Sequence, residues 1–156
     1  MAQQVGAALA VQNARLVFGV DNSKTHLPDI AYQSFAAAGG TALGIFRSRS
    51  DMLACPYQNI IPVVAGMERG AGWEAVIVLS ARALIIIGGR AGTMQEVAIA
   101  LQAGIPVIAL KGSGGFADCL DTDTYLVFQK GEHYYSAKTP SEAVTLAMRL
   151  AQYTDT

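Results

Sequence analysis

The feature that most constrains the fold is an uninterrupted apolar run, ALIII at residues 83–87, that leads directly into the glycine-rich sequence GGRAGT at residues 88–93. β-Branched residues without alternation are typical of a parallel strand that helices cover on both faces. Apolar residues then recur at helical spacing from Met94 to Leu101, and Gly104 ends that pattern. A buried strand, a glycine turn and a helix predict an α/β fold with this strand at the centre of the sheet.

Short strands and helices alternate along the rest of the chain. Strands are predicted at residues 16–20, 41–46, 59–64, 106–110 and 125–128, and helices at residues 5–12, 27–35, 73–77 and from residue 140 onwards. Pro62 is expected at an edge or strand end because it donates no backbone hydrogen bond. Thr139 with Glu142 forms an N-cap signature. No linker composition interrupts the pattern, so residues 1–156 are expected to form one domain with a mostly parallel sheet.

Composition excludes several classes of function. The chain has 156 residues, of which 52% are hydrophobic, and this is enough apolar material for a buried core. A net charge of −1 with 15% charged residues offers no footprint for nucleic acid. No apolar stretch approaches the roughly 18 residues of a membrane span, and the N-terminus does not read as a secretion signal. We therefore expect a soluble protein with no membrane or nucleic-acid partner.

The cysteines and histidines indicate neither a disulfide framework nor a metal site. Cys55 and Cys119 are far apart and belong to no CxxC pair. No base partner for Cys55 can be argued, so it is interpreted as a loop residue and not as a nucleophile. His26 and His133 are too few and too isolated for zinc. These residues favour a reducing cytoplasm and predict no bound metal.

The glycine turn is the strongest functional signal. Glycine lets the backbone approach a ligand without an intervening Cβ, and a helix N-terminus offers unpaired N–H groups and a positive dipole end that suit a phosphate. Thr93 adds a hydroxyl donor, and Glu96 is expected in the first turn of the helix. From these residues alone, a phosphate site and a plain tight turn, with Glu96 complementing the dipole, are supported about equally.

Residues 87–96, IGGRAGTMQE, resemble the GGxGTxxE signature of the LOG-like (SLOG) Rossmann family, whose members were formerly described as lysine decarboxylases. Residues 38–45, 111–118 and 139–144 are similar to the branch that contains the molybdenum cofactor carrier proteins. The resemblance covers most of the chain. It implies a Rossmann-like three-layer α/β sandwich with a mostly parallel sheet and an assembly of two or four identical subunits.

The resemblance implies two functions of different classes. The first is phosphate-anchored binding and carriage of molybdenum cofactor (molybdopterin) without catalysis, and its expected ligand-binding residues are Gly88, Gly89, Arg90, Ala91, Gly92, Thr93, Glu96, Asn22, Ser23, Lys24 and Gly114. The second is a nucleoside 5'-monophosphate phosphoribohydrolase acting on an AMP-like nucleotide, with Glu96 activating water and Arg69 or Arg90 as the clamp. A nucleotide sensor is a third hypothesis.

Three departures from the family pattern bear on this choice. The family position of the hydrolase arginine falls near Trp73, and this disfavours catalysis because an indole cannot clamp a phosphate. Trp73 itself is interpreted as a core or interface residue, and the alternative is that it stacks on a flat heterocycle. Residues 21–26, DNSKTH, replace a glycine turn. Within them, residues 22–26 offer donors and a cation to an anionic ligand, or else the segment is a solvated loop that caps the next helix. The chain begins near the family's first helix, so the first strand is expected to be lost, replaced or outside the sequence.

Two further segments have alternative interpretations. Residues 112–115, GSGG, follow a strand and either line the ligand crevice or form a plain connection. Residues 133–135, HYY, are interpreted as a surface turn or a subunit interface, and the alternative is a contact to a ring system.

Overall fold

The computed structural model describes residues 1–23, 25–120 and 133–152. The chain divides into two compact units, residues 2–80 and residues 81–156 with Met1, here called the first and second units. Within the described residues the order of elements is α1 (Ala2–Val11), β1 (Val17–Gly19), α2 (Leu27–Ala37), β2 (Ala42–Phe46), α3 (Arg49–Leu53), β3 (Ile60–Val64), α4 (Trp73–Leu79), β4 (Leu84–Ile86), α5 (Ala91–Gln102), β5 (Val107–Leu110), α6 (Gly115–Cys119), β6 (Tyr134–Ala137) and α7 (Pro140–Leu150).

The first unit contains a parallel sheet in the order β1-β2-β3. Gly44 of β2 lies between Phe18 of β1 and Pro62 of β3 in the register. Ala65 N donates to Phe46 O, so the alternating backbone of β3 points the nitrogen of Pro62 away from β2. The missing N–H therefore breaks no ladder bond, and the predicted edge position of Pro62 is confirmed.

Helices cover both faces of this sheet because its side chains alternate between two buried clusters. One cluster joins β1 and β2 to α2, with the buried members Phe18, Val20, Tyr32, Phe35, Ala42 and Phe46. The other joins Ile45 of β2 to Trp73 and Ile77 of α4. Helix α1 packs on α2, where a Cβ on Gly6 would collide with the Ala31 carbonyl. The unit is thus a three-layer α/β arrangement.

The second unit contains a parallel sheet in the order β4-β5-β6, against which α5, α6 and α7 pack. The sequence analysis placed β4 at the centre of the sheet. Within this sheet β5 is central, and all four of its residues are buried, whereas Leu84 and Ile85 of β4 are only half-buried. The apolar run at residues 83–87 therefore predicts a strand correctly but does not predict the position of that strand within the sheet.

The last described strand lies where the sequence predicted a surface turn or interface. Tyr134 and Tyr135 belong to β6, are half-buried, and pair in register with Val107 and Ile108 of β5. The interpretation of residues 133–135 as a turn was therefore wrong, because two adjacent tyrosines suit a half-buried strand. The strand predicted at residues 125–128 lies outside the described residues.

Local helix signals are confirmed where the sequence placed them. In α2, Pro28 occupies the first turn, and Gly39 follows the helix with φ +89°. At α7 the Thr139 side chain accepts a hydrogen bond of 3.2 Å from Glu142 N. The Glu142 carboxylate accepts a second one, 2.8 Å long, from Lys138 N.

No helix of the described ranges is long and apolar enough to cross a bilayer. The interpretation of residues 1–156 as one domain stays a prediction.

Candidate functional site

The turn after β4 leads straight into the N-terminus of α5. Arg90 is the extended N-cap, and the first helical hydrogen bond runs 3.0 Å from Met94 N to Arg90 O. The backbone N–H groups of Ala91, Gly92 and Thr93 precede this bond, so they are not part of the i→i−4 hydrogen bonds of the helix. Three backbone donors and the positive end of the helix dipole meet at this point, which is the arrangement that binds a phosphate.

Two glycines of the turn are required by its own geometry. Gly88 and Gly89 have φ of +61° and +99°, a region that residues with a Cβ rarely adopt. A Cβ on Gly89 would also lie 2.5 Å from Oγ1 of Thr93. These two positions would be glycine in a plain tight turn as well, so they do not by themselves indicate a ligand.

Gly92 differs from them. It lies in the first turn of α5, is exposed, has no left-handed φ, and a Cβ built on it would meet no heavy atom within 4 Å. Glycine inside a helix is about 1 kcal/mol less favourable than alanine. Neither strain nor crowding within the chain explains Gly92, whereas a ligand that approaches the backbone closely would.

A second glycine loop, residues 112–115, fixes the first one. The Ser113 hydroxyl accepts a hydrogen bond of 2.8 Å from Gly88 N and donates one of 2.6 Å to Leu110 O. Phe116 N and Ala117 N donate to the carbonyls of Gly89 and Gly88 at 2.9 and 2.7 Å. These bonds tie the carbonyl groups of the turn to α6.

The backbone of this second loop is held in turn by one carboxylate. Asp118 accepts hydrogen bonds from Gly112 N and Gly114 N, 2.7 and 2.9 Å long. A Cβ on Gly115 would approach Gly89 O to 2.5 Å, so the two loops contact each other backbone to backbone. Gly114 therefore belongs to a loop that contacts the glycine turn, and its role in ligand binding stays a prediction.

Glu96 does not lie where the sequence predicted. It is the sixth residue of α5, in the second turn, because the helix already begins at Ala91. It is half-buried. The influence of the dipole falls off within the first turn, so complementing the dipole is a weak explanation for this glutamate.

A charged cluster lies at the carboxyl ends of β1 and β2 in the first unit. Asp21 lies two residues after the end of β1, and its carboxylate contacts His26 Nδ1 at 2.7 Å and Arg69 Nη2 at 2.6 Å. Arg47 follows β2 and joins Asp21 to Asp51, with N···O distances of 3.8 and 3.3 Å. The cluster is balanced in charge apart from the histidine, so it is not a bare cationic patch.

The predicted ligand residues of this loop are partly engaged with protein groups. The Asn22 amide donates to Asp51 O at 3.2 Å, and Asn22 has φ +54°. The Ser23 hydroxyl lies 3.0 Å from that of Thr25. Lys24 lies outside the described residues. These contacts order the loop, and the binding roles of the three residues stay predictions.

Trp73 lies in the core, as its first interpretation held. It is 5% exposed, and its Nε1 donates a 3.1 Å hydrogen bond to Ile45 O. Arg69 Cζ lies 5.1 Å from the centre of the Trp73 ring, in cation–π contact. The loop between them is held by Gly70 N, which donates to both oxygens of Glu74. Arg69 is thus directed towards Asp21.

Buried titratable groups lie beneath the start of α2. Asp29 is fully buried, and burial raises the pKa of its carboxyl group. Neither carboxylate oxygen of Asp29 has a hydrogen bond of normal geometry within the described residues. The Tyr57 hydroxyl lowers the pKa of Asp29 and so partly offsets the rise that burial causes. Burial raises the pKa of Tyr57 to about 12 and also raises that of the Cys55 thiol. Cys55 is therefore not an activated nucleophile.

Sequence reasoning missed the residues that organise both loops. It gave no role to Asp21, Arg47 or Asp118 and did not single out the Ser113 hydroxyl. A signal existed for Asp21 and Arg47, because each is the first charged residue after a predicted strand. Polar groups at the carboxyl ends of parallel strands are where ligands of α/β proteins bind.

Comparison with known proteins identifies relatives of this chain. The model of the SLOG cluster4 family matches residues 1–144. No curated protein matches the sequence. The structural-genomics target TM1055 is 25% identical with a TM-score of 0.77, over 95% of this chain and 85% of that one.

Two proteins named for molybdenum cofactor have similar structures. The molybdenum cofactor carrier protein of Chlamydomonas reinhardtii is 25% identical with a TM-score of 0.75, over 97% of this chain and 87% of that one. The molybdenum cofactor binding protein of Rippkaea orientalis, at 23% identity and a TM-score of 0.74 over 96% and 85%, shares the fold. The predicted Rossmann-like three-layer α/β fold is thereby confirmed, and the match over residues 1–144 shows that this chain belongs to the SLOG cluster4 family.

Proposed function

We propose that this chain is a carrier that binds molybdenum cofactor through its terminal phosphate at the N-terminus of α5. Gly89, Arg90, Gly92 and Thr93 are the proposed phosphate contacts. The observation that carries the proposal is Gly92, a glycine in the first helical turn that neither φ nor crowding requires. Access of an anion to the amides around it is the physical reason that remains.

The identity of the ligand rests on similarity. The Chlamydomonas protein, 25% identical over nearly the whole chain, is named a molybdenum cofactor carrier. Carriage is favoured over hydrolysis because the buried Trp73 lies near the family position of the catalytic arginine. Arg69, the nearest substitute, is ion-paired with Asp21. Glu96 is then a structural residue or a contact to a polar edge of the ligand.

The remaining residues of the proposed set are Gly88, Ala91, Gly114, Asn22, Ser23 and Lys24. A cytoplasmic location and a homodimer or homotetramer are part of the same proposal.

A titration followed by NMR tests the phosphate site. Inorganic phosphate and then AMP are added to ¹⁵N-labelled protein, and the amide signals of residues 89–93 are expected to shift together and saturate. Arg90→Ala should weaken AMP binding at least tenfold, since hydrogen bonds to a charged group contribute roughly 1.5–3 kcal/mol and about 1.4 kcal/mol corresponds to a factor of ten. Arg149→Ala, an exposed arginine in the last turn of α7, is the charge-matched control and should bind as the wild type does. Shifts that spare residues 89–93 would overturn the site.

The same samples test the alternative function. A carrier leaves AMP intact after prolonged incubation, whereas a phosphoribohydrolase releases adenine and ribose 5-phosphate. If adenine is released and Glu96→Gln stops the release, the hydrolase hypothesis replaces the proposal.

A further inference from the structure

Two successive glycines give the turn after β4 its conformational freedom. Gly88 and Gly89 both have positive φ, and no peptide bond of the described residues is cis. Glycine adopts positive and negative φ about equally readily, so the peptide groups on either side of Gly89 can rotate with little steric cost. A turn that presents N–H groups to an anion therefore needs contacts that hold these peptide groups in one orientation.

The start of α6 provides such contacts. Ala117 N donates to Gly88 O at 2.7 Å, and Phe116 N donates to Gly89 O at 2.9 Å. In a planar trans peptide group the C=O and the N–H of the next residue point in opposite directions. Both carbonyl groups point towards α6, so the N–H groups of Gly89 and Arg90 point away from α6.

These two N–H groups lie next in sequence to the first amides of α5. Within the described residues neither of the two has a backbone acceptor. The Thr93 side chain lies against the same turn, since a Cβ on Gly89 would come within 2.5 Å of Thr93 Oγ1. Residues 89–93 thus provide consecutive N–H groups beside one hydroxyl, an arrangement that suits the oxygens of a phosphate.

The Ser113 hydroxyl holds the beginning of the turn. It accepts a hydrogen bond of 2.8 Å from Gly88 N and donates one of 2.6 Å to Leu110 O. A hydroxyl can do both at once because it has one proton and two lone pairs. Leu110 is the buried last residue of β5. Ser113 therefore ties the Gly88 amide to the end of a buried strand, and Gly88 cannot rotate without breaking these bonds.

Asp118 in turn holds the backbone on both sides of Ser113. Its two carboxylate oxygens accept hydrogen bonds of 2.7 and 2.9 Å from Gly112 N and Gly114 N. Asp118 is exposed, so its side chain contributes these contacts and not apolar burial. The position of the Ser113 hydroxyl is thus set by both neighbouring residues.

We propose that Ser113 is a positioning residue for the phosphate site, and that its hydroxyl, supported by Asp118, keeps the N–H groups of Gly89 and Arg90 turned towards the phosphate. This inference rests on the proposed function. In the reversed orientation the carbonyl oxygens of Gly88 and Gly89 would face the anion, and a carbonyl oxygen only accepts hydrogen bonds. Ser113 acts through the turn and not on the ligand.

The orientation of the turn is tested without ligand. Residual dipolar couplings of ¹⁵N-labelled protein report the direction of each N–H bond. In Ser113→Ala the couplings of Gly89 and Arg90 are expected to change, while those of α5 beyond its first turn stay as in the wild type. A hydroxyl that only adds stability would change the Tm and leave these two couplings as they are.

The effect on binding is tested with inorganic phosphate and with AMP. Ser113→Ala should raise the Kd for both about fivefold, as expected when one neutral hydrogen bond that holds the donors is lost. Ser80→Ala is the matched control, because the Ser80 hydroxyl also donates a 2.6 Å hydrogen bond to a backbone carbonyl, that of Val76 in the first unit. It should bind both probes as the wild type does.

Asp118→Asn separates positioning from charge. On charge alone, removing a carboxylate favours the binding of an anion. The asparagine side chain keeps only one acceptor oxygen for the two amides, so the loop that holds Ser113 is loosened. We expect Asp118→Asn to weaken phosphate binding about twofold, and tighter binding would overturn the positioning role. Since Asp118 is exposed, this variant also decides the question if Ser113→Ala does not fold.

The outcomes separate the two proposals. Changed couplings at Gly89 and Arg90 together with weaker binding by Ser113→Ala support the positioning role. Unchanged couplings, or a Kd equal to that of the wild type, overturn it and leave the proposed function standing. If phosphate does not shift the amide signals of residues 89–93 in the wild type, the proposed function is overturned, and the positioning role with it.

Discussion

Replacing Gly92 with alanine should make the protein more stable while it weakens phosphate binding. Gly92 is helical and exposed, and no heavy atom lies within 4 Å of the added Cβ. Removing a helical glycine at a compatible position stabilises a protein by about 0.4–1 kcal/mol, chiefly by restricting the unfolded chain. For a chain of this length that corresponds to a rise in Tm of about 1–4 °C.

The same methyl group stands at the approach to the first amides of α5. If a phosphate oxygen accepts hydrogen bonds from these amides, we expect the substitution to raise the Kd for AMP at least tenfold, which is about 1.4 kcal/mol. Thermal unfolding and isothermal titration calorimetry on the same preparation measure the two effects. Stability and binding are therefore expected to change in opposite directions.

Ser141→Ala is the matched control, because Ser141 is the second residue of α7 as Gly92 is of α5, and it is also exposed. It should leave AMP binding unchanged. If Gly92→Ala binds AMP as tightly as the wild type, the argument from close backbone approach is wrong. If it lowers the Tm, the helical conformation assigned to residue 92 is wrong.

Three further predictions concern the rest of the molecule. Burial raises the pKa of Asp29 in the folded state, so the carboxyl favours folding when it is protonated, and this stabilisation is lost as the pH rises from the unfolded pKa near 3.8 through the folded pKa. In urea unfolding, Asp29→Asn should therefore be more stable than the wild type at pH 7 and equally stable at pH 3. The same stability difference at both pH values would contradict this. Trp73→Ala should cost about 3–5 kcal/mol in the free energy of urea unfolding because it empties a core position and removes the indole hydrogen bond to Ile45 O, which keeps only its bond from Val20 N; a loss below 1 kcal/mol would show that the core assignment is wrong. Light scattering should give two or four times the chain mass, and a monomeric mass would refute the predicted assembly.

Elements set by neighbouring residues were predictable from the sequence. The N-cap of α7 depends on Thr139 and Glu142, which are three residues apart, and the edge position of β3 follows from the missing N–H of Pro62. The glycine turn after β4 was also found, because its glycines stand between an apolar run and a helical pattern. In each case the physical cause lies within one or two turns of chain.

Features set by distant residues were not predictable. Asp21 pairs with Arg69 and Gly88 with Ser113, and no local pattern announces either contact. The central rank of β5 depends on strand order, which the apolar run at residues 83–87 does not encode. The start of α5 at Ala91, which moves Glu96 to the second turn, depends on the extended backbone of the N-cap residue.

Native mass spectrometry tests the central claim most directly. The purified protein is incubated with molybdenum cofactor and AMP, and the spectrum reports the number of subunits, the retained mass and any cleavage together. We predict a retained pterin mass on an assembly of two or four subunits, with AMP intact. Loss of AMP to adenine and ribose 5-phosphate, with no pterin retained, would contradict the account and identify a hydrolase instead.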